Sequence, residues 1–418
     1  MEEKRDTENL IASDTAAAPI TPMEEVDVPA AATPLGRSRV RSLARSAGAL
    51  LAFAMVGLLV LYGASRVFEP KNNGGVGGLN AAHQAAEAFL GEPENSLDAL
   101  FIGDSETYSA LSPVEIWKDT GIPSYTCAIG KQYLTYSKSL LNRALAVQNP
   151  KVVMIEGNSL FRPFDEQKLV KTAVKDAFPI FERHNRWKAL TPEDFVAAPE
   201  NTWVDDMKGF RLKWGIRPAD ASKYMASDER VQEVPELTMT VLRQMADACH
   251  ADGAQMVLIA TPSTKNWSQA RHNGMVKVAE ELGIDWIDLN TGDDEVAIDW
   301  DTDTRDYGDH LNYYGATKAS RAVADILRDR YGLQDHRADG GDTVIGIVPC
   351  APTSARLRKP SISMRRAWHP LAATCAPPCP WRGRGSERGR LEGFSALRHP
   401  PCRTFLKRPS RCAAANST

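Results

Sequence analysis

The sequence predicts an α/β protein built on a parallel sheet. Two observations carry this expectation. Between residues 98 and 335, short apolar runs alternate with segments whose apolar residues recur at helical spacing. The runs are apolar throughout, as in KVVMIE at 151–156, which suits strands buried on both faces. Strand–helix units repeated in this way form doubly wound sheets, whose ligands lie at the carboxyl ends of the strands.

The elements follow in order. Residues 1–45 are acidic at first, rich in Ala, Pro and Thr, and read as a cytoplasmic segment without fold. Residues 46–65, SAGALLAFAMVGLLVLYGAS, carry no charge, and twenty helical residues span roughly 30 Å, the thickness of bilayer hydrocarbon. A single transmembrane anchor is expected at 46–66. Arg37, Arg39, Arg41 and Arg45 precede it and should keep the N-terminus in the cytoplasm, leaving the rest outside the cell membrane. Residues 67–97 are expected to be a linker, Gly- and Asn-rich at its start.

The domain is expected at 98–335, opening with the strand LDALFI. SPVEIWKDTG reads as a helix: Ser112 caps, Pro113 fits the first turn, Glu115 completes a capping box, and Gly121 stops it. SYTCAIG is a second strand, 134–147 a helix, and KVVMIE a third strand. Residues 160–235 break the rhythm and read as an insertion, either a lid or substrate groove or an ordinary surface excursion. A helix near 236–251, the strand AQMVLIATP, a helix near 268–282 and the strand GIDWIDLN follow. A last helix runs from Tyr313 to Arg330, with Gly332 as its stop.

The chain has 418 residues, 43% of them hydrophobic, and a net charge of −3 that hides an uneven distribution. Residues 336–418 hold 15 basic and 4 acidic residues with no apolar period. This tail is expected to lack a fold, and two readings of it stay open: a basic arm for anionic envelope polymer, or translation in a shifted frame. Only Cys127 and Cys249 precede it, so the domain is no disulfide scaffold, and Cys375 and Cys379 lack the spacing of a zinc site. No metal, cofactor or nucleic-acid partner is expected. No paired histidine–carboxylate spacing suggests a metal-dependent phosphodiesterase.

The chemistry centres on ALFIGDSETYSALSP, where an apolar run stops at Gly103, Asp104 and Ser105. Strand, tight turn and serine can present a hydroxyl at the top of a sheet. Ser105 needs a base, and His310 stands in the loop before the last helix among Asp303, Asp306 and Asp309. A histidine can take the serine proton, and an aspartate can fix the tautomer of that histidine. Donors for a developing oxyanion are the Ser105 backbone N–H, Gly130 after the second strand and the Asn158 side chain after the third. His184 and His272 suit structure or substrate contact better than catalysis.

These stretches resemble a known family. FIGDS resembles the first block of SGNH/GDSL hydrolases, CAIG supplies the family's glycine, EGNSL resembles its asparagine block, and DYGDHLNYYGA its Asp/His block. The resemblance spans about residues 98–332. It implies a flavodoxin-like three-layer α/β/α sandwich, with Ser105 as nucleophile, His310 as base, and Ser105, Gly130 and Asn158 as oxyanion donors. Two departures stand out: Ser159 replaces the acid of the asparagine block, and the family's aspartate three before the histidine is Tyr307 here. Asp306 is the favoured partner of His310, with Asp309 the alternative.

TPSTKNWSQARHNG and WIDLN are similar to a membrane-anchored subgroup that assists O-acylation of bacterial envelope polymers, such as teichoic acid D-alanylation or alginate acetylation. That similarity implies a serine esterase or O-acyltransferase acting on acyl groups of an envelope polysaccharide, beside a membrane-bound O-acyltransferase. The alternative is a noncatalytic polymer-binding or scaffold partner of such an acyltransferase.

Overall fold

Five parallel strands form one sheet in the computed structural model, which describes residues 37–74 and 80–338. They are β1 (Ala99–Gly103), β2 (Ser124–Ala128), β3 (Val152–Glu156), β4 (Gln255–Ala260) and β5 (Asp285–Asp288). Their order is β2-β1-β3-β4-β5, with Ala99 paired to Ser124 on one side and to Val152 on the other. In this flavodoxin-like order the winding reverses between β1 and β3, which opens a crevice at their carboxyl ends.

The helices are α1 (Arg37–Phe68), α2 (Ala81–Glu87), α3 (Ser105–Ala110), α4 (Pro113–Thr120), α5 (Leu134–Leu145), α6 (Glu166–Ala177), α7 (Ile180–Arg183), α8 (Glu236–Ala251), α9 (Gln269–Leu282) and α10 (Tyr313–Asp329). Alternate residues of each strand feed two apolar layers. Leu100 and Ile102 pack with Leu140 and Leu141 of α5 and Leu242 and Met245 of α8. Ala99 and Phe101 pack with Ile116 of α4 and Ala319, Val323 and Leu327 of α10. The result is the three-layer α/β/α sandwich.

Local signals act largely as expected. Ser112 accepts the Glu115 N–H at 3.4 Å, and Gly121 ends α4 at a φ of 71°. The Glu115 carboxylate does not complete the box; it meets Lys118 at 2.9 Å and the Tyr313 hydroxyl at 3.0 Å. Ser268 caps α9 and Asn312 caps α10.

Three boundaries differ from expectation. The linker 67–97 is no linker over its second half: Asn80 caps α2, and Ala85, Ala86 and Phe89 are buried. Gly- and Asn-rich composition governs only the start of that stretch. The tail does not begin at 336, because the His336 N–H reaches Gly121 O at 3.0 Å and its ring contacts Asp98 at 2.9 Å. The rest of the expected tail, 339–418, and most of the cytoplasmic segment, 1–36, lie outside the described residues. The helix runs longer than 46–66: α1 starts at Arg37, and an 18-residue window within Ala44–Phe68 has mean hydropathy 2.1. Ala44–Phe68 is long and apolar enough to cross a membrane.

The segment after β3 begins with a 3₁₀ turn at Gly157–Phe161, passes through α6, α7 and 3₁₀ turns at His184–Ala189 and Pro192–Phe195, and then becomes a strap without regular structure to 235. The strap is tied by backbone hydrogen bonds to β2, α3, α9 and the loop before α10. Lys208 O accepts from Thr126, Arg211 N–H donates to Tyr108, Arg217 to Thr304, and Gln232 to Ala270. Lys208 is buried against Glu92 at 2.7 Å and anchors the strap's start.

Candidate active site

Gly103 ends β1 because a side chain would not fit there. A Cβ at this position would lie 2.1 Å from Thr107 Oγ1 and 2.5 Å from Glu156 Cβ. Asp104 follows as the cap of α3, accepting the Glu106 N–H at 3.0 Å. Ser105, the first residue of α3, is half-buried, and its hydroxyl lies near the Tyr108 phenol. Burial raises the Tyr108 phenol above its usual range, while Arg305, Arg211 and the Ser105 hydroxyl pull it back.

Gly130 sits in the turn after β2, where a Cβ would come 3.6 Å from the Tyr108 hydroxyl. Tyr108 therefore lies near both the serine and the glycine. A cleft of about 170 Å³ opens beside this turn, lined by Ile129, Lys131, Gln132, Tyr133 and Lys168 among others.

Asn158 sits in the 3₁₀ turn after β3, across the crevice from Ser105. Its Nδ2 donates to Asp104 Oδ2 at 3.1 Å, and its Oδ1 accepts from Arg271 Nη1 at 2.6 Å. Both ends of the amide are thus oriented. Arg162 also reaches Asp104 Oδ2, at 2.8 Å. Burial raises Glu156 well above the carboxylate range, Asp104 adds to this, and N–H groups of Asn158 and Ser159 oppose it. One oxygen, Glu156 Oε2, is buried without a hydrogen-bond partner among the described residues.

His310 is held by Asp306. One carboxylate oxygen meets the ring Nδ1 at 2.7 Å, and the other accepts the His310 backbone N–H at 2.7 Å. Asp309 lies 3.6 Å from Nδ1, beyond hydrogen-bond reach. Tyr307 and Gly308, with φ of 64° and 85°, curl the loop so that a carboxylate four residues back returns over the ring. Burial alone would raise Asp306, yet the ring and backbone hydrogen bonds from His310 and the charges of His310 and Arg305 hold it below the usual range.

The other ring nitrogen, Nε2, is buried and meets no hydrogen-bond partner among the described residues. Ligating atoms of His310, Asp309 and Glu106 lie within 4.8 Å of one another, which brings the histidine against the start of α3. Asn266 Nδ2 donates to Asp309 Oδ1 at 2.6 Å and also to Glu106 Oε1. Burial pushes Glu106 well above the carboxylate range, with Asp104 and Glu156 adding to it. These three residues could hold a cation by distance, but an amide donor faces both carboxylates and Asp306 already occupies Nδ1. The local chemistry favours a hydrogen-bond network.

Neighbouring residues of the α3 start link it to the loops that carry the other candidates. Asp104 joins Asn158 to the Ser105 turn, Glu106 joins it to His310, and Tyr108 joins it to Gly130. The structure does not show Ser105 bonded to His310, since Nε2 has no partner. His272 pairs with Asp288 at 2.6 Å and His184 with the Phe181 carbonyl at 3.3 Å. Sequence reasoning missed Glu106, Tyr108, Glu156, Asn266 and Arg271. Asn266 and Arg271 fall within TPSTKNWSQARHNG, a stretch already notable for its resemblance.

An α/β sandwich with a serine, an aspartate-bound histidine and an oriented asparagine along one rim is the class of protein defined by this fold and site. No protein-family model matches the chain, and no curated protein matches it. Similar solved structures include the lipase/acylhydrolase from Enterococcus faecalis, at 14% identity and a TM-score of 0.32, covering 56% of this chain and 96% of that one. A GDSL-like lipase from Bacteroides thetaiotaomicron shows 11% identity and a TM-score of 0.31, covering 56% of this chain and 89% of that one. The family 3 carbohydrate esterase from Clostridium thermocellum shows 11% identity and a TM-score of 0.30, covering 57% and 98%. At these scores the likenesses carry no argument, and the fold rests on this chain's own strand order.

Proposed function

We propose that the chain is a membrane-anchored serine esterase or O-acyltransferase of SGNH type, acting on acyl groups of a cell-envelope polysaccharide outside the membrane. The observation that carries the reading is His310: Asp306 locks its Nδ1, and its Nε2 is buried and unpaired beside the turn that bears Ser105. A buried ring nitrogen without a partner is costly unless a reacting group is to meet it.

In the reaction, Ser105 Oγ turns to Nε2 and attacks the ester carbonyl as His310 takes its proton. The negative oxygen is met by the N–H groups of Ser105 and Gly130 and by Asn158 Nδ2. Asp306 stabilises the imidazolium. His310 then returns the proton to the departing alkoxide, leaving an acyl-serine. Water or a sugar hydroxyl attacks this intermediate by the same path in reverse, His310 accepting its proton and Ser105 leaving.

The arginines ahead of the uncharged stretch 46–65 support a cytoplasmic N-terminus and an external domain. A fluorophosphonate probe should label the full chain in detergent at Ser105 and leave Ser105→Ala unlabelled. No labelling of folded protein would overturn the catalytic reading. A second reading, a noncatalytic scaffold for a membrane-bound O-acyltransferase, is favoured by one observation: His310 Nε2 has no hydrogen-bond partner among the described residues, so Ser105 is not bonded to it. Full polymer acylation restored by Ser105→Ala in a deletion strain would support that scaffold.

A further inference from the structure

We infer that residues 180–196 form a collar that lies in the lipid interface where α1 leaves the bilayer. The proposal rests on α1 being the anchor. Three observations point to it. First, the last turns of α1 pack on α7 and on the 3₁₀ turns His184–Ala189 and Pro192–Phe195. The clamp is Arg186, buried, whose Nη1 donates to the carbonyls of Val67 at 3.3 Å and Phe68 at 2.8 Å while Nη2 meets Asp194 at 2.6 Å. A guanidinium on the last carbonyls of a helix satisfies groups the helix cannot, so this segment is joined to the helix end rather than draped over it.

Second, the same segment exposes large apolar side chains: Phe181 at 49%, Trp187 at 63%, Phe195 at 65% and Val196 at 85%. Scattered exposed apolar residues are ordinary, but these four fall within seventeen residues that pack on the end of an exposed apolar helix. Tryptophan with a lysine over it, as Lys188 stands 5.6 Å from the Trp187 ring centre, suits the boundary between acyl chains and headgroups. Third, charge on the segment is balanced, with Arg183, Arg186 and Lys188 against Glu182, Glu193 and Asp194. The occupant is therefore lipid engaged by apolar area, with little dependence on anionic headgroups or salt.

The collar would hold the domain at a set height and tilt on the membrane. The test uses the full chain in phosphatidylcholine vesicles containing lipid brominated near the headgroup end of its acyl chains. Bromolipid should quench part of the tryptophan fluorescence, and Trp187→Phe should lose about half of that quenched fraction. Phe195→Trp in the Trp187→Phe background should restore it. Alkaline carbonate separates the two premises: release of the chain would overturn the anchor and the collar with it. Retention with quenching unchanged by Trp187→Phe would overturn the collar alone. A Trp187 signal shielded from acrylamide yet unquenched by lipid would assign the patch to a protein contact and overturn the lipid proposal.

Discussion

Asp306→Asn isolates the most telling contact in the candidate site. The carboxylate accepts from His310 twice, at 2.7 Å to Nδ1 and 2.7 Å to the backbone N–H. An asparagine can keep the backbone bond through its oxygen, but it presents an N–H to Nδ1 and favours the wrong tautomer. It also removes a negative charge from the imidazolium formed in the reaction. Two unit charges about 4 Å apart interact by about 4 kcal/mol at an effective dielectric of 20. The Asp306 side chain is 37% exposed, so solvent screening reduces this to about 2–4 kcal/mol. At 1.36 kcal/mol per tenfold, kcat should fall by about 30- to 1000-fold with KM little changed. The assay is hydrolysis of a p-nitrophenyl ester by the full chain in detergent, beside Asp309→Asn. Asp309 stands 3.6 Å from Nδ1, so its variant should lose far less. Equal losses, or an active Asp306→Asn, would refute the assignment.

Three further outcomes follow from the same geometry. Glu156 is raised by burial, so the folded state holds its proton above the ordinary value of 4.5, and stability should fall as pH rises from there towards the folded value; Glu156→Gln keeps the acceptor for Asn158 N–H and should flatten that slope in melting curves taken across pH. Lys208→Met leaves Glu92 buried without its cation and should cost about 3–5 kcal/mol in urea unfolding, whereas a loss under about 1 kcal/mol would show the pair to be idle. Gly103→Ala places a Cβ against Thr107 and Glu156 and should cost about 1–3 kcal/mol, with loss of esterase activity as α3 shifts.

The fold was legible because its signals are local. Each strand is a short apolar run, and Ser112, Gly121, Ser268 and Gly332 mark helix ends through bonds or φ values within a few residues. The linker assignment failed for a physical reason of the opposite kind. Alanine- and glycine-bearing residues 80–91 look unremarkable alone, and only the surface offered by Tyr125 makes burial of Phe89 worthwhile, with the rings 6.1 Å apart. The candidate residues Ser105, Gly130, Asn158 and His310 were legible through turn and motif chemistry at strand and helix ends. Glu106 and Arg271 were not, since nothing in a glutamate on a short helix or an arginine on α9 says which rim it faces.

By itself the sequence determined the repeated strand–helix units, the apolar N-terminal helix and the chemical types available at the sheet's carboxyl edge. Tertiary structure alone decided which aspartate meets His310, because two left-handed residues at 307 and 308 bend the loop and no periodicity encodes that bend. It also decided that Asn158 is oriented from both ends, and that residues 180–196 close on the end of α1. Such contacts join residues far apart along the chain. Their energies depend on distances of a few ångströms that only the packed sheet and its two layers of helices define.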